Sequence, residues 1–333
     1  MAKPKIFVTR DQPGPALTKL GNIYDVKVNP EDRPVSKEEL IVAVKEVDGI
    51  IACVGDRIDG EVMDASGGFL KAVCNAIVGF DNVDLKAATE RGIYVTNTPG
   101  VLTETVADLA FGLLLTLSRR IAEADRFIRT GRWRGWGPKQ FLGFDVHGKT
   151  LGILGLGRIG LAVAKRAKGF DMTVLYFDVF RNTEMEKKLG LHFVPLNEVL
   201  SRSDFVSVHV PLIPQTKHMI STNELDLMKE SAFLINSSRG PVVDEKALIT
   251  ALKAGKICGA GLDVWDPEPP SVDNPLLTMD NVVTLPHIAS ASVETRTRMI
   301  EMAIDNLKAI LNGRIPPNLV NKEVISVRPL KVS

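Results

Sequence analysis

Residues 150–160 read TLGILGLGRIG and decide the fold class. A short apolar strand ends at Leu154, and Gly155, Gly157 and Gly160 follow it in the spacing GxGxxG, before a stretch of helical periodicity. The first glycine permits a tight turn, the second lets the backbone approach a pyrophosphate, and the third lets the helix pack closely on the strand. The free amides and the dipole of the helix start attract phosphate groups. Strand, glycine turn and helix in this order predict a dinucleotide-binding Rossmann unit.

The same alternation of strand and helix extends over the rest of the chain. Short apolar segments that end at turn residues are separated by stretches of helical spacing, which is typical of a parallel sheet covered by helices. In the first third we predict helices at Lys37–Lys45 and Leu85–Glu90 and strands at Lys5–Thr9, Asp25–Val28, Gly49–Val54, Lys71–Ala76 and Ile93–Thr96. In the second series we predict strands at Thr150–Leu154, Thr173–Phe177, Phe205–Val210, Phe233–Asn236, Ile257–Val264 and Val282–Leu285. The predicted fold class is α/β, with two Rossmann-like parallel-sheet domains and a cleft between them.

Two long helices are predicted outside this repeating pattern. One covers Thr103–Arg129, with Thr103 as its N-cap, shortly after the Pro99-Gly100 pair that interrupts regular structure. Its apolar residues recur at helical spacing, so we expect this helix to be buried between domains or subunits. The other covers Val293–Asn312 and would return the chain to the first domain.

The composition favours a small molecule as ligand. Lys plus Arg number 41 and Asp plus Glu number 40, so the net charge of +1 does not favour nucleic acid or an anionic membrane surface as a partner. No run approaches the roughly 18 apolar residues that a membrane span needs. Cys53, Cys74 and Cys258 are widely spaced and form no CxxC pair. We therefore expect reduced, buried thiols in a cytoplasmic protein.

The second strand of the nucleotide half ends at Asp178, which lies 18 residues after Gly160. A carboxylate here can accept hydrogen bonds from the adenosine ribose hydroxyls and would repel a 2'-phosphate. The position therefore favours NAD, as NADH, over NADP. Arg181 lies close by in the sequence, and two interpretations stay open for it, a contact with a phosphate or a solvated loop charge.

Three polar residues, Arg239, Glu268 and His287, lie just beyond apolar strand-like segments of the second half, where open α/β sheets bind their ligands. A guanidinium offers a fixed fork of donors to a carboxylate and its adjacent carbonyl. A histidine beside a carboxylate can hold a proton near neutral pH and pass it to a developing alkoxide. The set predicts a carbonyl-reduction site. No histidine has metal-ligand spacing to another histidine, cysteine or carboxylate, so we expect no metal.

Six motifs follow one another along the chain: NAIVGFDNVD at 75–84, NTPG at 97–100, the glycine turn at 155–160, SSRG at 237–240, GLDV at 261–264 and PH at 286–287. With them the chain resembles the D-isomer-specific 2-hydroxyacid dehydrogenases over nearly its full length. The resemblance implies that Arg239, Glu268 and His287 are the catalytic set. It also implies that the backbone amides of Val78-Gly79 hold the substrate carboxylate. The expected substrate-binding residues are Val54, Val78, Gly79, Arg239 and His287.

The same resemblance implies how the chain is divided. Residues 1–100 plus 288–333 would form a discontinuous substrate-binding, or lid, domain, and residues 101–287 the NAD-binding Rossmann domain. A homodimer built around the Thr103–Arg129 segment and its following loop is usual in the family. The residues expected along the dinucleotide are Thr105, Gly155, Leu156, Gly157, Arg158, Ile159, Gly160, Asp178, His209, Val210, Pro211, Thr216, Ser237, Ser238, Arg239, Asp263 and His287.

Within the family, the motifs VGDRID at 54–59 and WGP at 136–138 look most like those of glyoxylate and hydroxypyruvate reductases. We therefore expect NADH-dependent reduction of one of these small 2-oxo acids to the D-2-hydroxy acid, with His287 as proton donor. D-3-Phosphoglycerate and D-lactate dehydrogenases are the alternatives in the same class. A non-catalytic, NAD-sensing protein similar to the corepressors of this family is the alternative from another class. The physiological substrate and the direction of the reaction stay open.

Overall fold

The computed structural model describes residues 2–330, and the chain divides into two compact units. The first unit comprises Met1–Leu102 and Ala291–Ser333, and the second comprises Thr103–Ser290. The ends predicted for the outer domain, residues 1 and 333, lie outside the described residues. Helices and strands are numbered below in chain order.

The first unit contains a parallel sheet of five strands with helices around it. The strands are β1 (Lys5–Val8), β2 (Asp25–Val28), β3 (Gly49–Ala52), β4 (Ala72–Asn75) and β5 (Tyr94–Thr96). The helices are α1 (Ala16–Ile23), α2 (Lys37–Ala43), α3 (Gly60–Asp64), α4 (Leu85–Glu90), α12 (Val293–Leu311) and α13 (Val324–Val327). The strand order is β2-β1-β3-β4-β5, so the sheet reverses its direction of growth between β1 and β3.

Apolar side chains fill the middle of this sheet. Strands β3 and β4 are buried along their whole lengths, as parallel strands covered on both faces are. The polar exception is Asn75 at the end of β4, which is fully buried. Helix α12, predicted from its periodicity, is confirmed and packs its apolar face into the same core, with Ser292 as N-cap.

The second unit contains a parallel sheet of seven strands. The strands are β6 (Thr150–Leu154), β7 (Thr173–Phe177), β8 (Leu191–Phe193), β9 (Phe205–Val208), β10 (Phe233–Asn236), β11 (Gly259–Leu262) and β12 (Val282–Thr284). The helices are α5 (Thr103–Ser118), α6 (Ile121–Arg129), α7 (Arg158–Ala167), α8 (Thr183–Leu189), α9 (Leu196–Arg202), α10 (Thr222–Leu227) and α11 (Glu245–Lys253), with short 3-10 turns at Lys168–Phe170, Gly240–Val242 and Pro275–Thr278.

The order of this second sheet is β12-β11-β10-β9-β6-β7-β8, and its strands are parallel throughout. The sheet grows in opposite directions from β6 and β9. Their carboxyl ends therefore form the switch point at which open sheets of this kind bind ligands. Two parallel α/β sheets confirm the predicted fold class.

The prediction of one helix over Thr103–Arg129 is wrong. The segment forms two helices, α5 and α6, with Arg120 between them in a left-handed conformation at a φ of +53°. The carbonyl of Ser118 at the end of α5 accepts a hydrogen bond from the amide of Phe144, at 2.8 Å. A residue far along the chain therefore satisfies this helix end, and local periodicity cannot reveal it.

Burial of this whole segment between domains or subunits stays a prediction, and its two helices differ within the single chain. The apolar face of α5 packs within the second unit, against the core that α7 and the sheet share. Helix α6 buries none of its residues. Thr103 is the first residue of α5 rather than the residue before it, so it is not the predicted N-cap.

Three features of the described residues bear on the range of ligands and partners. Cys53, Cys74 and Cys258 are unbridged, the first two buried and the third half-buried. Within residues 2–330, no helix is long and apolar enough to cross a membrane. The same part of the chain holds no group of three or more His, Cys, Asp or Glu side chains arranged to bind a metal ion.

Candidate active site

The turn after β6 brings the backbone so close to its surroundings that only glycine fits at two positions. Gly155 has a φ of +93°, and a Cβ there would lie 2.9 Å from the amide nitrogen of Val210. A Cβ on Gly160 would lie 2.1 Å from the carbonyl oxygen of Gly155. Close-packed backbone cannot yield by that amount without displacement. These two glycines therefore allow β6, α7 and the loop after β9 to pack together.

Gly157 has a different role, because a Cβ there would meet no atom within 4 Å. It precedes Arg158 and Ile159 at the start of α7, and no side chain caps this helix. The amides and the dipole of such a helix end favour a negatively charged group. Elsewhere in the unit, the hydroxyl of Ser237 is buried without a hydrogen-bond partner among the described residues. Both features fit a dinucleotide, whose pyrophosphate suits the open space at Gly157.

The loop after β9 forms the other side of the switch point. Its first residue is His209, whose Nε2 lies 2.8 Å from the hydroxyl of Ser207. Burial lowers the pKa of His209 to about 4, so this ring is neutral near pH 7. The hydroxyl of Thr216 donates to the carbonyl of Pro211 and accepts from the amide of Ile213, which closes the loop. Of the residues expected along the dinucleotide, this loop carries His209, Val210, Pro211 and Thr216, while Thr105 lies in the first turn of α5.

Asp178 lies beside the glycine turn. One carboxylate oxygen accepts a hydrogen bond from the amide of Leu156 at 2.7 Å, and the other accepts from the amide of Phe180 at 3.2 Å. Arg181, for which two interpretations were open, makes two hydrogen bonds of 2.9 Å to the carboxylate of Glu186. Arg181 is therefore a paired surface charge, and Asp178 is the charged side chain nearest the turn in this loop.

A buried asparagine shapes the turn that carries Arg239. Asn236 ends β10, and its side-chain oxygen accepts from the amide and the hydroxyl of Ser238 at 3.1 and 2.9 Å. Its Nδ2 donates to the carbonyl of Arg239 at 2.9 Å. A Cβ on Gly240 would lie 1.9 Å from the carbonyl oxygen of Trp265. The turn is thus fixed internally and packed against the loop after β11.

His287 and Glu268 form a direct pair. Nδ1 of His287 lies 2.6 Å from Oε1 of Glu268, and the two side chains are 23% and 30% exposed. The other oxygen of Glu268 accepts from the amide of Trp265 at 3.3 Å. Because a carboxylate only accepts hydrogen bonds, Nδ1 carries a hydrogen, and Nε2 is the nitrogen that can exchange a proton with a ligand. The pair has the arrangement of a proton donor oriented by a second group.

The backbone at His287 is strained and anchored on both sides. Its φ of +54° lies in the left-handed region, which residues other than glycine seldom adopt. On one side, the indole nitrogen of Trp265 donates to the carbonyl of Leu285 at 2.9 Å. On the other, the next two amides donate to the two oxygens of buried Asp263 at 2.7 and 2.8 Å. Burial raises the pKa of the Asp263 carboxyl, and the two amide bonds oppose that shift.

In the first unit, the loop after β4 carries Val78 and Gly79. The carbonyl of Ile77 accepts from the amide of Thr98 at 3.0 Å, and the carbonyl of Val78 accepts from the side chain of Asn97 at 2.7 Å. Because a trans peptide is planar, each following N–H points away from the carbonyl that is held. The hydrogen bonds of residues 2–330 include no partner for the Val78 and Gly79 amides. Two adjacent amides of this kind suit a carboxylate.

The structure therefore groups the expected residues by sheet. Val54, Val78 and Gly79 follow β3 and β4, which are neighbours in the first unit. Arg239, Glu268 and His287 follow β10, β11 and β12, which are neighbours in the second unit, and of these three side chains Glu268 and His287 are in direct contact.

Sequence reasoning missed the residues that hold these loops. Asn97, Asn236 and Trp265 each donate a side-chain hydrogen bond to the backbone of a loop that carries an expected site residue. The sequence does mark Asn236, and also Asn75, as residues of this kind, because each places an amide side chain at the end of an otherwise apolar strand. Such a side chain is buried only where the adjoining loop satisfies it.

Comparison with known proteins identifies the family. Residues 111–289 match the NAD-binding domain of the D-isomer specific 2-hydroxyacid dehydrogenases. A glyoxylate reductase of Korarchaeum cryptofilum is 54% identical over 328 residues, which cover 98% of both chains. The chain belongs to the D-isomer specific 2-hydroxyacid dehydrogenase family. The resemblance seen in its motifs is thereby confirmed.

Solved structures agree with this assignment. A Thermus thermophilus protein is 46% identical and has a TM-score of 0.89, with 95% of this chain and 99% of the other covered. An NADPH-dependent glyoxylate/hydroxypyruvate reductase of Sinorhizobium meliloti, solved with NADP and malonate, is 36% identical with a TM-score of 0.84, and 100% and 99% of the chains are covered. This 2-hydroxyacid dehydrogenase is therefore an oxidoreductase with a nicotinamide cofactor.

Proposed function

We propose that this 2-hydroxyacid dehydrogenase reduces glyoxylate or hydroxypyruvate to the D-2-hydroxy acid with NADH. The observation that carries the proposal is the contact of 2.6 Å between His287 and Glu268, in the same unit as the glycine turn after β6. The glyoxylate reductase of Korarchaeum cryptofilum, at 54% identity, supports glyoxylate as the substrate. We assign the second unit to the dinucleotide and the first unit to the substrate.

The bound nicotinamide supplies the hydride that is added to the carbonyl carbon of the 2-oxo acid. His287 gives the proton on Nε2 to the carbonyl oxygen, so that the developing alkoxide becomes the hydroxyl group of the 2-hydroxy acid. Glu268 accepts from Nδ1–H and keeps the ring in the orientation that presents Nε2. The guanidinium of Arg239 binds the carboxylate and the adjacent carbonyl oxygen with its fork of donors, which polarises the carbonyl. The amides of Val78 and Gly79 bind the carboxylate of the substrate.

The proposal specifies NAD rather than NADP because of Asp178. Its carboxylate would accept hydrogen bonds from the ribose hydroxyls and repel a 2'-phosphate. Arg181, the nearby cation that could bind such a phosphate, is paired with Glu186 instead. The Sinorhizobium meliloti relative uses NADPH, so members of the family differ in this preference.

We further propose that the enzyme is a homodimer formed through α6 and the loop that follows it. Helix α6 buries no residue, and this region exposes large apolar side chains to solvent: Ile121, Ile128, Trp133, Trp136, Leu142 and Phe144. Contiguous exposed apolar residues of this size mark an interaction surface. Light scattering coupled to size exclusion should give twice the mass of 36.3 kDa. A monomer at micromolar concentration would contradict the proposal.

The cytoplasmic location stays a prediction.

Initial rates of NADH and NADPH oxidation test the proposed activity. The purified protein is assayed with glyoxylate, hydroxypyruvate, pyruvate, longer 2-oxo acids and phosphohydroxypyruvate. We expect NADH-dependent turnover that is fastest with glyoxylate or hydroxypyruvate. Preference for pyruvate or phosphohydroxypyruvate would instead indicate a D-lactate or D-3-phosphoglycerate dehydrogenase. NADH binding without turnover of any acid would indicate the non-catalytic sensor.

A further inference from the structure

A pair of asparagine side chains joins the two loops of the first unit that carry the proposed substrate residues. Nδ2 of Asn75 lies 2.8 Å from Oδ1 of Asn82, and Nδ2 of Asn82 lies 3.3 Å from Oδ1 of Asn75. Asn75 ends β4 and is fully buried, while Asn82 lies seven residues further along the chain. The two amides therefore satisfy each other across the loop that holds Val78 and Gly79.

Each asparagine also holds backbone on its own side of the pair. Nδ2 of Asn75 donates to the carbonyl of Gly79 at 3.2 Å, which fixes the end of the carboxylate-binding loop. Nδ2 of Asn82 donates to the carbonyl of Asp56 at 3.1 Å. The carbonyl of Asn82 accepts from the amide of Ile58 at 2.9 Å, which brings the same two segments together through the backbone. The pair thus links the loop after β4 to the turn after β3.

The turn after β3 is held from its other side by a buried carboxylate and an arginine. Asp56 is 0% exposed, and its two oxygens accept from the amides of Val35 at 3.0 Å and Cys53 at 2.9 Å. The guanidinium of Arg10 donates to the carbonyl of Val54 and lies 3.4 Å from Asp56. The turn carrying Val54 is therefore fixed by bonds to Arg10 and to Asn82.

We infer that Asn82 is a positioning residue that sets the separation between the Val54 turn and the Val78-Gly79 loop, and through it the preference for short 2-oxo acids. The inference rests on the proposed function, since it assigns the size limit of the same substrate site. In this inference Asn82 acts through its bonds to the two loops and not by contact with substrate or cofactor. By the same inference, the substituent of a 2-oxo acid bound by its carboxylate at Val78-Gly79 would extend toward Val54, whose fixed position would limit the length of that substituent.

The variant Asn82→Asp tests this with little change in volume. It keeps an acceptor for Asn75 but replaces the donor to the Asp56 carbonyl with an oxygen, so the side-chain bond between the two segments is lost while the backbone bond from Ile58 remains. We expect the KM for glyoxylate to rise about tenfold, and the ratio of kcat/KM for glyoxylate to that for 2-oxobutyrate to fall by about the same factor. The Kd for NADH, measured by fluorescence without substrate, should stay within about twofold.

Arg10→Lys loosens the same turn from its other face, because an ammonium group cannot reproduce the guanidinium fork. This second variant keeps the inference testable if Asn82→Asp does not fold. The matched control is Asn321→Asp in the same unit, because Asn321 is 3% exposed and bonds to Thr89, Ile93 and Val95, away from both loops. The control should lower the melting temperature and leave the ratio of the two substrates unchanged.

The outcomes separate this inference from the proposed function. Wild-type turnover of glyoxylate with an unchanged ratio of the two substrates in both folded variants would overturn the inference and leave the function standing. A change of the ratio in Asn321→Asp equal to that in Asn82→Asp would also overturn it, since any loss of stability would then have the same effect. Absence of wild-type turnover on both acids would overturn the inference and the function together.

Discussion

Two loops of this dehydrogenase offer backbone amides to a ligand, and they are built differently. After β6, the glycine spacing itself makes the turn, and open space before Gly157 leaves the start of α7 accessible. After β4, Val78 and Gly79 have ordinary backbone, and their amides are oriented because Thr98 and Asn97 hold the carbonyls of the residues before them, Ile77 and Val78. Both loops have a bond to a residue about twenty positions away, because Asp178 accepts from the amide of Leu156 and Asn97 donates to the carbonyl of Val78. Only the first loop also requires glycine, at Gly155 and Gly160, where a Cβ would meet backbone atoms.

This difference explains how the two loops should respond to change. A turn that requires glycine fails when a glycine gains a side chain, because the backbone itself has no room or the ligand is displaced. A loop aimed by remote side chains fails more gradually, because each bond fixes one peptide plane. Substitutions in the first loop should therefore act on the dinucleotide, and those around the second on the KM of the 2-oxo acid.

The largest effect is expected at a residue that belongs to neither loop. If the two loops bind the dinucleotide and the substrate carboxylate while His287 transfers the proton, His287→Ala should reduce kcat by about 10²–10⁴-fold. The Kd for NADH and the inhibition constant of a non-reacting carboxylate such as oxamate should change by less than about threefold. Steady-state kinetics and fluorescence titration measure these quantities. An equal loss of turnover and of NADH binding would contradict the assignment of His287.

A substitution at Gly157 tests the first loop. A Cβ at Gly157 meets no protein atom within 4 Å, so Gly157→Ala should keep its melting temperature while the Kd for NADH rises about 100-fold. Gly169→Ala is the matched control, because its Cβ also meets nothing within 4 Å and it lies beyond the other end of α7. Unchanged NADH affinity in Gly157→Ala would show that the dinucleotide does not approach this turn.

A smaller effect is expected at the outer edge of the same loop. Removing the carboxylate in Asp178→Ala takes away the proposed acceptor for the ribose hydroxyls and the repulsion of a 2'-phosphate. The ratio of kcat/KM for NADH to that for NADPH should fall about tenfold. Glu184→Ala, a first-turn residue of α8, is the surface control and should leave the ratio unchanged. If the ratio does not move in Asp178→Ala, the assignment of NAD to this position is wrong.

The smallest effect on catalysis is expected at the proposed dimer surface. Each loop is built from residues of its own unit, so Ile128→Glu should shift the mass measured by light scattering to that of a monomer while kcat/KM changes by less than about twofold. Ile128 is 53% exposed on α6, and Val272→Glu at an 88% exposed position is the control for an added surface charge. A dimer that persists in Ile128→Glu would place the interface elsewhere.

Much of the fold follows from local patterns, and the misses have physical causes. Strands β6, β7 and β10 match their predicted bounds, because an apolar run ends there at a glycine or a polar residue. The break at Arg120 was missed because Phe144, a distant residue, satisfies the end of α5. Strand β8 was missed because His192 interrupts its three residues, so they form no continuous apolar run.

In the candidate site, too, local sequence patterns are visible and contacts between distant residues are not. The glycine turn and Asp178 come directly after β6 and β7, and Arg239, Glu268 and His287 lie in the loops after β10, β11 and β12, as their positions in the sequence predict. Their roles stay predictions. The contact between His287 and Glu268 was expected from their chemistry and is present. The supporting bonds of Asn82 and Trp265 depend on which loops meet in three dimensions, and spacing along the chain carries no sign of that.

The most direct test of the account follows the hydride. The enzyme is incubated with hydroxypyruvate and NADH that carries deuterium at both C4 positions, and the glycerate is separated by chiral chromatography and analysed by mass spectrometry. The account predicts D-glycerate with one deuterium on C2. L-glycerate, or D-glycerate without the label, would contradict direct hydride transfer by a D-specific 2-hydroxyacid dehydrogenase.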